Sequence, residues 1–275
     1  MYRFFYDEQG KSMHVKEFVD HYSKLYFEGS AYSDINSEVA EKRIKEILKK
    51  KSENGDYKFK VSEVKDILAW KIGKINHKKS NLENKVIYIN PWDGDELRIY
   101  RTRIDIDDIT ERVNSVNPNI TLSDYIDCIK CPGIGDVYII TLRYFASGGK
   151  YPIYDQFAYR AIKAIKGDTE SGFGIWIDNP DTTFEKSNLS DDNKFSYYSA
   201  IAKANIEKGR FRIIYDAPDT ITVGVYAQYK NDIEEVFKDY IINSDESEIE
   251  KNRKIDQALW VYGHYYKSKV KKYNR

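Results

Sequence analysis

Two short turns within residues 128–160, CIKCPGIGDVYIITLRYFASGGKYPIYDQFAYR, hold the residues best suited to chemistry. The first is PGIG at 132–135, set between two apolar, helix-like runs. The second is PIYD at 152–155, which puts one carboxylate, Asp155, at the mouth of another helix. A glycine-rich turn feeding a helix N-terminus points backbone N–H groups outward, and such a nest attracts phosphate. Gly133, Ile134 and Gly135 are therefore the expected phosphate contacts, with Lys130 and Lys150 flanking the turn as cations. A carboxylate in the position of Asp155 can stabilise a developing positive charge or orient a water molecule. Each feature also has a plain structural reading. PGIG is equally a helix–turn–helix corner, and an aspartate before a helix is a preferred N-cap.

Local signals place these turns on helices. Ser123 is expected to cap a helix through Tyr125, Ile126 and Ile129, which Pro132 stops. Gly133 and Gly135 allow the chain to reverse tightly. Asp136 opens the next helix, where Val137, Ile139, Ile140 and Leu142 predict near-complete burial. Beyond Asp155, Phe157, Ala158, Ala161, Ile162 and Ile165 share a helical face, and Gly167 ends it. Asp136 suits the helix dipole but lies close to where a phosphate would dock. Lys130 and Lys150 are expected to offset that charge.

Residues 122–166 resemble the helix–hairpin–helix DNA glycosylases of the endonuclease III and 8-oxoguanine glycosylase superfamily. There a hairpin reading LPGVG precedes a VDTH-like segment with the catalytic aspartate. Asp155 lies 20 positions after Gly135, the interval of the endonuclease III-like members, and Arg160 falls where they place an arginine. The closing IDQALWVYG also resembles the last helix of bacterial proteins that pair PGIG-type and PIYD-type motifs, which implies a divergent bacterial branch. The resemblance implies a mainly α, two-lobed helix–hairpin–helix glycosylase-like fold with one or two inserted β-hairpins. It also implies duplex DNA as partner, Asp155 as the catalytic carboxylate of base excision repair, and Tyr154, Phe157 and Arg160 around a base pocket. Two departures matter. Val137 stands where lyase-type members carry a Schiff-base lysine, so only monofunctional hydrolysis is implied. Phe157 stands where a histidine follows the aspartate. The alternative is a non-catalytic DNA-binding or structural protein on the same scaffold.

Composition bounds these readings. The chain has 275 residues, 41% hydrophobic and 32% charged, with formal net charge +0. That is enough chain for a sizeable core. A neutral protein can contact DNA only through a local patch. The longest apolar runs are too short for a membrane span, and no signal peptide is recognised, so a cytoplasmic location is expected. Cys128 and Cys131 form a lone CxxC, too few for a four-cysteine iron–sulfur cluster. His14, His21, His77 and His264 lack zinc spacing. No metal or cofactor is expected. The two cysteines are read as reduced, partly buried thiols.

The remaining chain reads as scaffold. Val15, Phe18, Val19, Tyr22, Leu25 and Tyr26 recur at helical spacing, and so do Ile255, Ala258, Leu259, Tyr262, Tyr265 and Tyr266. These matching stripes predict that 1–75 and 231–275 pack as one lobe of a single two-lobed domain spanning 1–275. Asp34 and Ser62 are expected to cap a second and a third helix. The lysines of the second are read as a solvated face, and Trp70 on the third as core. Residues 85–90 and 97–101 read as the strands of an inserted hairpin. Residues 195–208 read as helix, and 210–215 with 220–226 as a second hairpin or, alternatively, the entry to a helix.

Overall fold

The computed structural model describes residues 4–5, 12–26, 38–71, 75–76, 87–88, 98–99, 102–167, 176–177, 202–205, 210–212 and 221–273. The protein is mainly helical, with ten helices among the described residues, none long and apolar enough to cross a membrane. The chain divides into two compact units. One, the hairpin unit, comprises residues 26–154 and 248–252. The other, the terminal unit, comprises 1–25, 155–247 and 253–275. Residues 26–75, expected in one lobe with the C-terminus, thus fall in the hairpin unit. The motif stretch 122–166 is divided at Asp155.

The terminal unit contains α1 Val15–Leu25, and the hairpin unit α2 Glu38–Glu53, α3 Val61–Lys71, α4 Ile106–Ser115, α5 Leu122–Ile129 and α6 Asp136–Ala146. Every residue of α6 from Ile139 to Ala146 is buried. A helix buried over this length becomes the axis its neighbours pack against, with Thr141 and Arg143 carried inside among its apolar residues. Trp70 meets Phe145 edge-on at 6.1 Å, which places it against the core. The cap of α5 is Thr121, whose side chain accepts the N–H of Asp124; the expected cap, Ser123, lies inside the helix. A hydroxyl there satisfies an otherwise orphaned donor. Ser62 likewise lies within α3. At that helix start Glu63 reaches back to accept the N–H of Lys60 at 3.0 Å. Asp34 lies outside the described residues.

Two carboxylates are buried between α2 and α3. Glu63 accepts from Lys50 Nζ at 3.0 Å and from the Tyr57 hydroxyl at 2.9 Å. Asp66 accepts from Arg43 Nε at 2.7 Å, while its other oxygen is buried without a hydrogen-bond partner. Burial raises the Asp66 carboxyl above its ordinary range, and the Arg43 pair offsets this only in part.

The terminal unit adds α7 Gln156–Gly167, α8 Val223–Val236, α9 Lys238–Asn243 and most of α10 Glu248–Tyr273. An aromatic cluster joins both ends of the chain. The Phe18 and Tyr22 rings each lie 5.0 Å from Tyr262, and Phe18 lies 6.1 Å from Phe237. Gly263 marks where α10 meets α7. A Cβ there would fall 2.0 Å from the Phe157 carbonyl oxygen, so only glycine fits. Asp232 on α8 is fully buried. It accepts from Lys163 Nζ, Lys166 Nζ and Gln228 Nε2, each at 2.7 Å. Burial alone would raise this carboxyl, but those hydrogen bonds outweigh it and hold it below its ordinary range.

One strand expectation and one helix expectation are corrected. Residues from Val223 form α8, not a hairpin strand, because Thr222 caps the helix through the Val225 N–H and Tyr226, Tyr229, Ile233 and Val236 recur at helical spacing. Ala202–Asn205, expected as helix, pairs antiparallel with Arg210–Arg212. Elsewhere Ile87–Tyr88 pairs with Ile75–Asn76, and Arg98–Ile99 with Thr102–Arg103. The turn cluster expected between 85–90 and 97–101 lies outside the described residues.

Candidate nucleic-acid interface

The hairpin begins where α5 ends. Lys130 donates its N–H to Ile126 and then turns extended, at φ −59 and ψ 126. The Ile134 N–H closes the turn on the Cys131 carbonyl at 3.3 Å, and the Ile134 side chain is buried beneath it. The Ile134 N–H, expected as a phosphate contact, is therefore spent within the turn, while its side chain anchors the loop. Gly133 adopts φ 89, a left-handed conformation that L side chains rarely accept. Gly135 differs. Its φ −93 and ψ 160 are open to any residue, and a Cβ there would meet only Tyr138 Cδ2, at 3.8 Å. The expectation that both glycines are needed conformationally is thus corrected to Gly133 alone.

Gly135 is the N-cap of α6 and has no side chain to satisfy the donors beyond it. Its carbonyl accepts from Tyr138 and Ile139 at 2.9 and 3.2 Å. Among the described residues, the N–H groups of Gly133, Gly135, Asp136 and Val137 meet no hydrogen-bond acceptor. They form a row of donors at the positive end of the α6 dipole. Lys130 Nζ lies 3.1 Å from Asp136 Oδ1, so the cation nearest the turn neutralises the carboxylate nearest the turn.

Lys150 is not at the hairpin. The 11 residues of α6 span about 16 Å, and Lys150 follows its far end. There its ammonium donates to Asn119 Oδ1 at 3.2 Å. The expectation that it flanks the turn fails because the intervening chain is largely a buried helix, not a loop that folds back.

Asp155 opens the terminal unit and is half-buried. Its Oδ1 accepts the Phe157 N–H at 2.8 Å, and its carbonyl accepts from Tyr159 at 2.8 Å. The carboxylate therefore caps α7. Phe157 is half-buried with its ring 6.3 Å from Trp260. Arg160 is buried, its Nη2 donating to Gln156 Oε1 at 3.4 Å and its guanidinium 5.4 Å from the Phe157 ring. Tyr154 is buried in the hairpin unit, and its carbonyl accepts from Lys71 Nζ at 2.9 Å. Within the terminal unit, Phe157 and Arg160 on the helix that Asp155 caps and Trp260 on α10 thus form an aromatic–cation group.

Cys128 is exposed and Cys131 half-buried, both as free thiols. Burial raises the Cys131 thiol, with Asp108 adding to the effect and Arg112 opposing it, so it is held protonated and weakly nucleophilic. Among the described residues no group of three His, Cys, Asp or Glu side chains is placed to hold a metal ion. Two residues went unmarked in the sequence. Asp232 carried only the weak signal of Gln228 one turn earlier. Arg143, buried in α6, carried none beyond its charge within an apolar run. No protein-family model, curated protein or solved structure matches the chain.

Proposed function

We propose that the protein is a DNA-binding helix–hairpin–helix protein that grips backbone phosphate at the mouth of α6. One observation carries this reading. The N–H groups of Gly133, Gly135, Asp136 and Val137 are without protein acceptors on a turn held by a positive-φ glycine. A phosphate oxygen satisfies such donors and meets the helix dipole favourably. The Lys130–Asp136 pair supports the reading, since it removes the like charge that would repel phosphate.

The reaction consistent with this reading is hydrolysis of the N-glycosidic bond of a damaged or modified base, on a two-lobed glycosylase-like scaffold with inserted β-hairpins. As the base departs, positive charge builds on the sugar. A carboxylate such as Asp155 stabilises that charge and orients the attacking water. The target base must leave the stack first, at a cost that phosphate contacts offset. Val137 carries no amine, so strand cleavage through a Schiff base does not follow. A second reading, DNA binding without chemistry, is favoured by the bond between Asp155 Oδ1 and the Phe157 N–H, which already gives the carboxylate a structural task.

The test of binding is a salt titration on a short duplex. Affinity should fall with a shallow slope equivalent to about one to three phosphates, because the contact is local. Gly133→Val should weaken binding while helicity persists. Unchanged affinity in that variant would remove the hairpin from the interface.

A further inference from the structure

We propose that Arg143, Lys150 and Tyr151 form an oxyanion-binding site beside the 117–121 loop, at the end of α6 remote from the hairpin. Its ligand class is a phosphate group. The site is independent of the hairpin contact and stands without it.

The argument starts from an uncompensated charge. Arg143 is only 4% exposed. Its Nε donates to the Pro118 carbonyl at 2.9 Å and its Nη2 to the Ile120 carbonyl at 2.5 Å. Both acceptors are neutral. The guanidinium lies 4.0 Å from the Tyr151 ring centroid and 5.7 Å from that of Tyr125. A second cation is adjacent. Lys150 Nζ sits 5.5 Å from the same Tyr151 ring. Among the described residues no carboxylate pairs with either cation. A charge taken out of water without a counter-charge is costly, and proteins normally pair it.

The donors here also outnumber the acceptors. Lys150 Nζ and the Tyr151 hydroxyl share one oxygen, Asn119 Oδ1, at 3.2 and 3.4 Å. The Tyr125 hydroxyl is fully buried with no hydrogen-bond partner. The two carbonyl bonds fix the plane of the Arg143 guanidinium and leave Nη1 with no acceptor among the described residues. An arginine held on two sides, with its third nitrogen open and an ammonium and a phenol nearby, matches the several acceptor oxygens of a phosphate. The stacked Tyr151 ring keeps the guanidinium in place when the site is empty.

The experiment uses the whole 275-residue chain and two probes, inorganic phosphate and a short DNA duplex. Phosphate should raise the melting temperature in a saturable way beyond sodium chloride at equal ionic strength. Lys150→Gln, at an exposed position, should fold as the wild type in chloride. It should lose about tenfold in apparent phosphate affinity, the scale of one charge-assisted contact. Tyr151→Phe should lose less, since it keeps the ring and removes only the hydroxyl. If duplex affinity falls with Lys150→Gln as well, the phosphate belongs to nucleic acid. If only inorganic phosphate is affected, the ligand is a free phosphate. Gly133→Val should leave the Lys150-dependent phosphate response intact, which separates this site from the hairpin. Phosphate stabilisation that is unchanged in Lys150→Gln, or no stabilisation beyond chloride, overturns the proposal.

Discussion

The mouths of α6 and α7 start from similar sequence and end in opposite states. Each follows a proline-led tetrapeptide, PGIG or PIYD. At α6 the capping position is Gly135, which offers no side chain, and the first donors of the helix stay open. At α7 the residue before the helix is Asp155, and its own carboxylate takes the Phe157 N–H. The terminal unit repeats this economy deeper in its core, where Asp232 is saturated by two lysines and a glutamine. The mouth of α6 leaves its donors open; the mouth of α7 consumes its own internally. A helix N-terminus is thus a ligand site only where nothing in the chain already caps it.

The largest expected effect tests how far the terminal unit depends on that internal pairing. Asp232→Asn leaves Lys163 without a counter-charge, while Lys166 keeps the Glu235 carboxylate 2.7 Å away. With the two lysine side chains 18% and 25% exposed, solvent recovers part of the loss, which should be about 2–3 kcal/mol by urea denaturation at neutral pH. The folded-state pKa of Asp232 is depressed, so its contribution is present above the ordinary carboxylate range and disappears as pH falls through the folded value. The gap between wild type and variant should therefore close on acidification. Asp66 behaves oppositely. Its folded pKa is raised, so its charged form is a cost at neutral pH that protonation relieves first. A gap that persists undiminished at low pH would show that Asp232 acts by shape alone.

Asp155→Asn comes next. If the carboxylate serves catalysis, base release from duplexes carrying deaminated, oxidised or alkylated bases should fall by on the order of a hundredfold or more. Thermal melts should not move, because asparagine caps about as well as aspartate. Asp155→Ala should cost roughly 1 kcal/mol through the lost cap. No release from any substrate by the wild type would leave Asp155 as a cap and break the enzyme reading. Borohydride reduction with abasic duplex should trap no covalent adduct, since Val137 cannot form a Schiff base. A trapped adduct would place another amine in that role.

The comparison is sharpened most directly by making one mouth resemble the other. Gly133→Val forces a β-branched residue into φ 89 and should lower duplex affinity by about tenfold with a stability loss of roughly 1–2 kcal/mol. Gly135→Asn should do the reverse to stability, adding a few tenths of a kcal/mol by supplying the missing cap. It should still weaken binding by a few-fold, because the new side chain occupies the donors. Equal binding by wild type and Gly135→Asn would show that the open N–H groups do not hold phosphate.

The helices of both units were legible because their apolar residues repeat at helical spacing, as in α1, α6, α7 and α10. Caps were less so. Thr121 and Ser123 are both good caps, and only the packing of Leu122 and Tyr125 decides which one starts the helix. Thr220 to Tyr226 alternates like a strand over its short length, yet Tyr226, Tyr229, Ile233 and Val236 find a helical face once the chain continues. Lys150 looked adjacent to the hairpin because sequence distance hides the length of a helix.

The sequence by itself determined the mainly helical class, the turn at PGIG and the helix behind Asp155, because local spacing and glycine and proline placement act over a few residues. Only the tertiary structure decided which glycine is conformationally required, that Lys150 meets Asn119 and not the hairpin, and which acids are spent on internal partners. Those outcomes depend on contacts between residues far apart in the chain. Lys163 meets Asp232, and Arg143 meets Pro118 and Ile120. No local pattern encodes such meetings, since burial and charge pairing are settled only when separate helices pack.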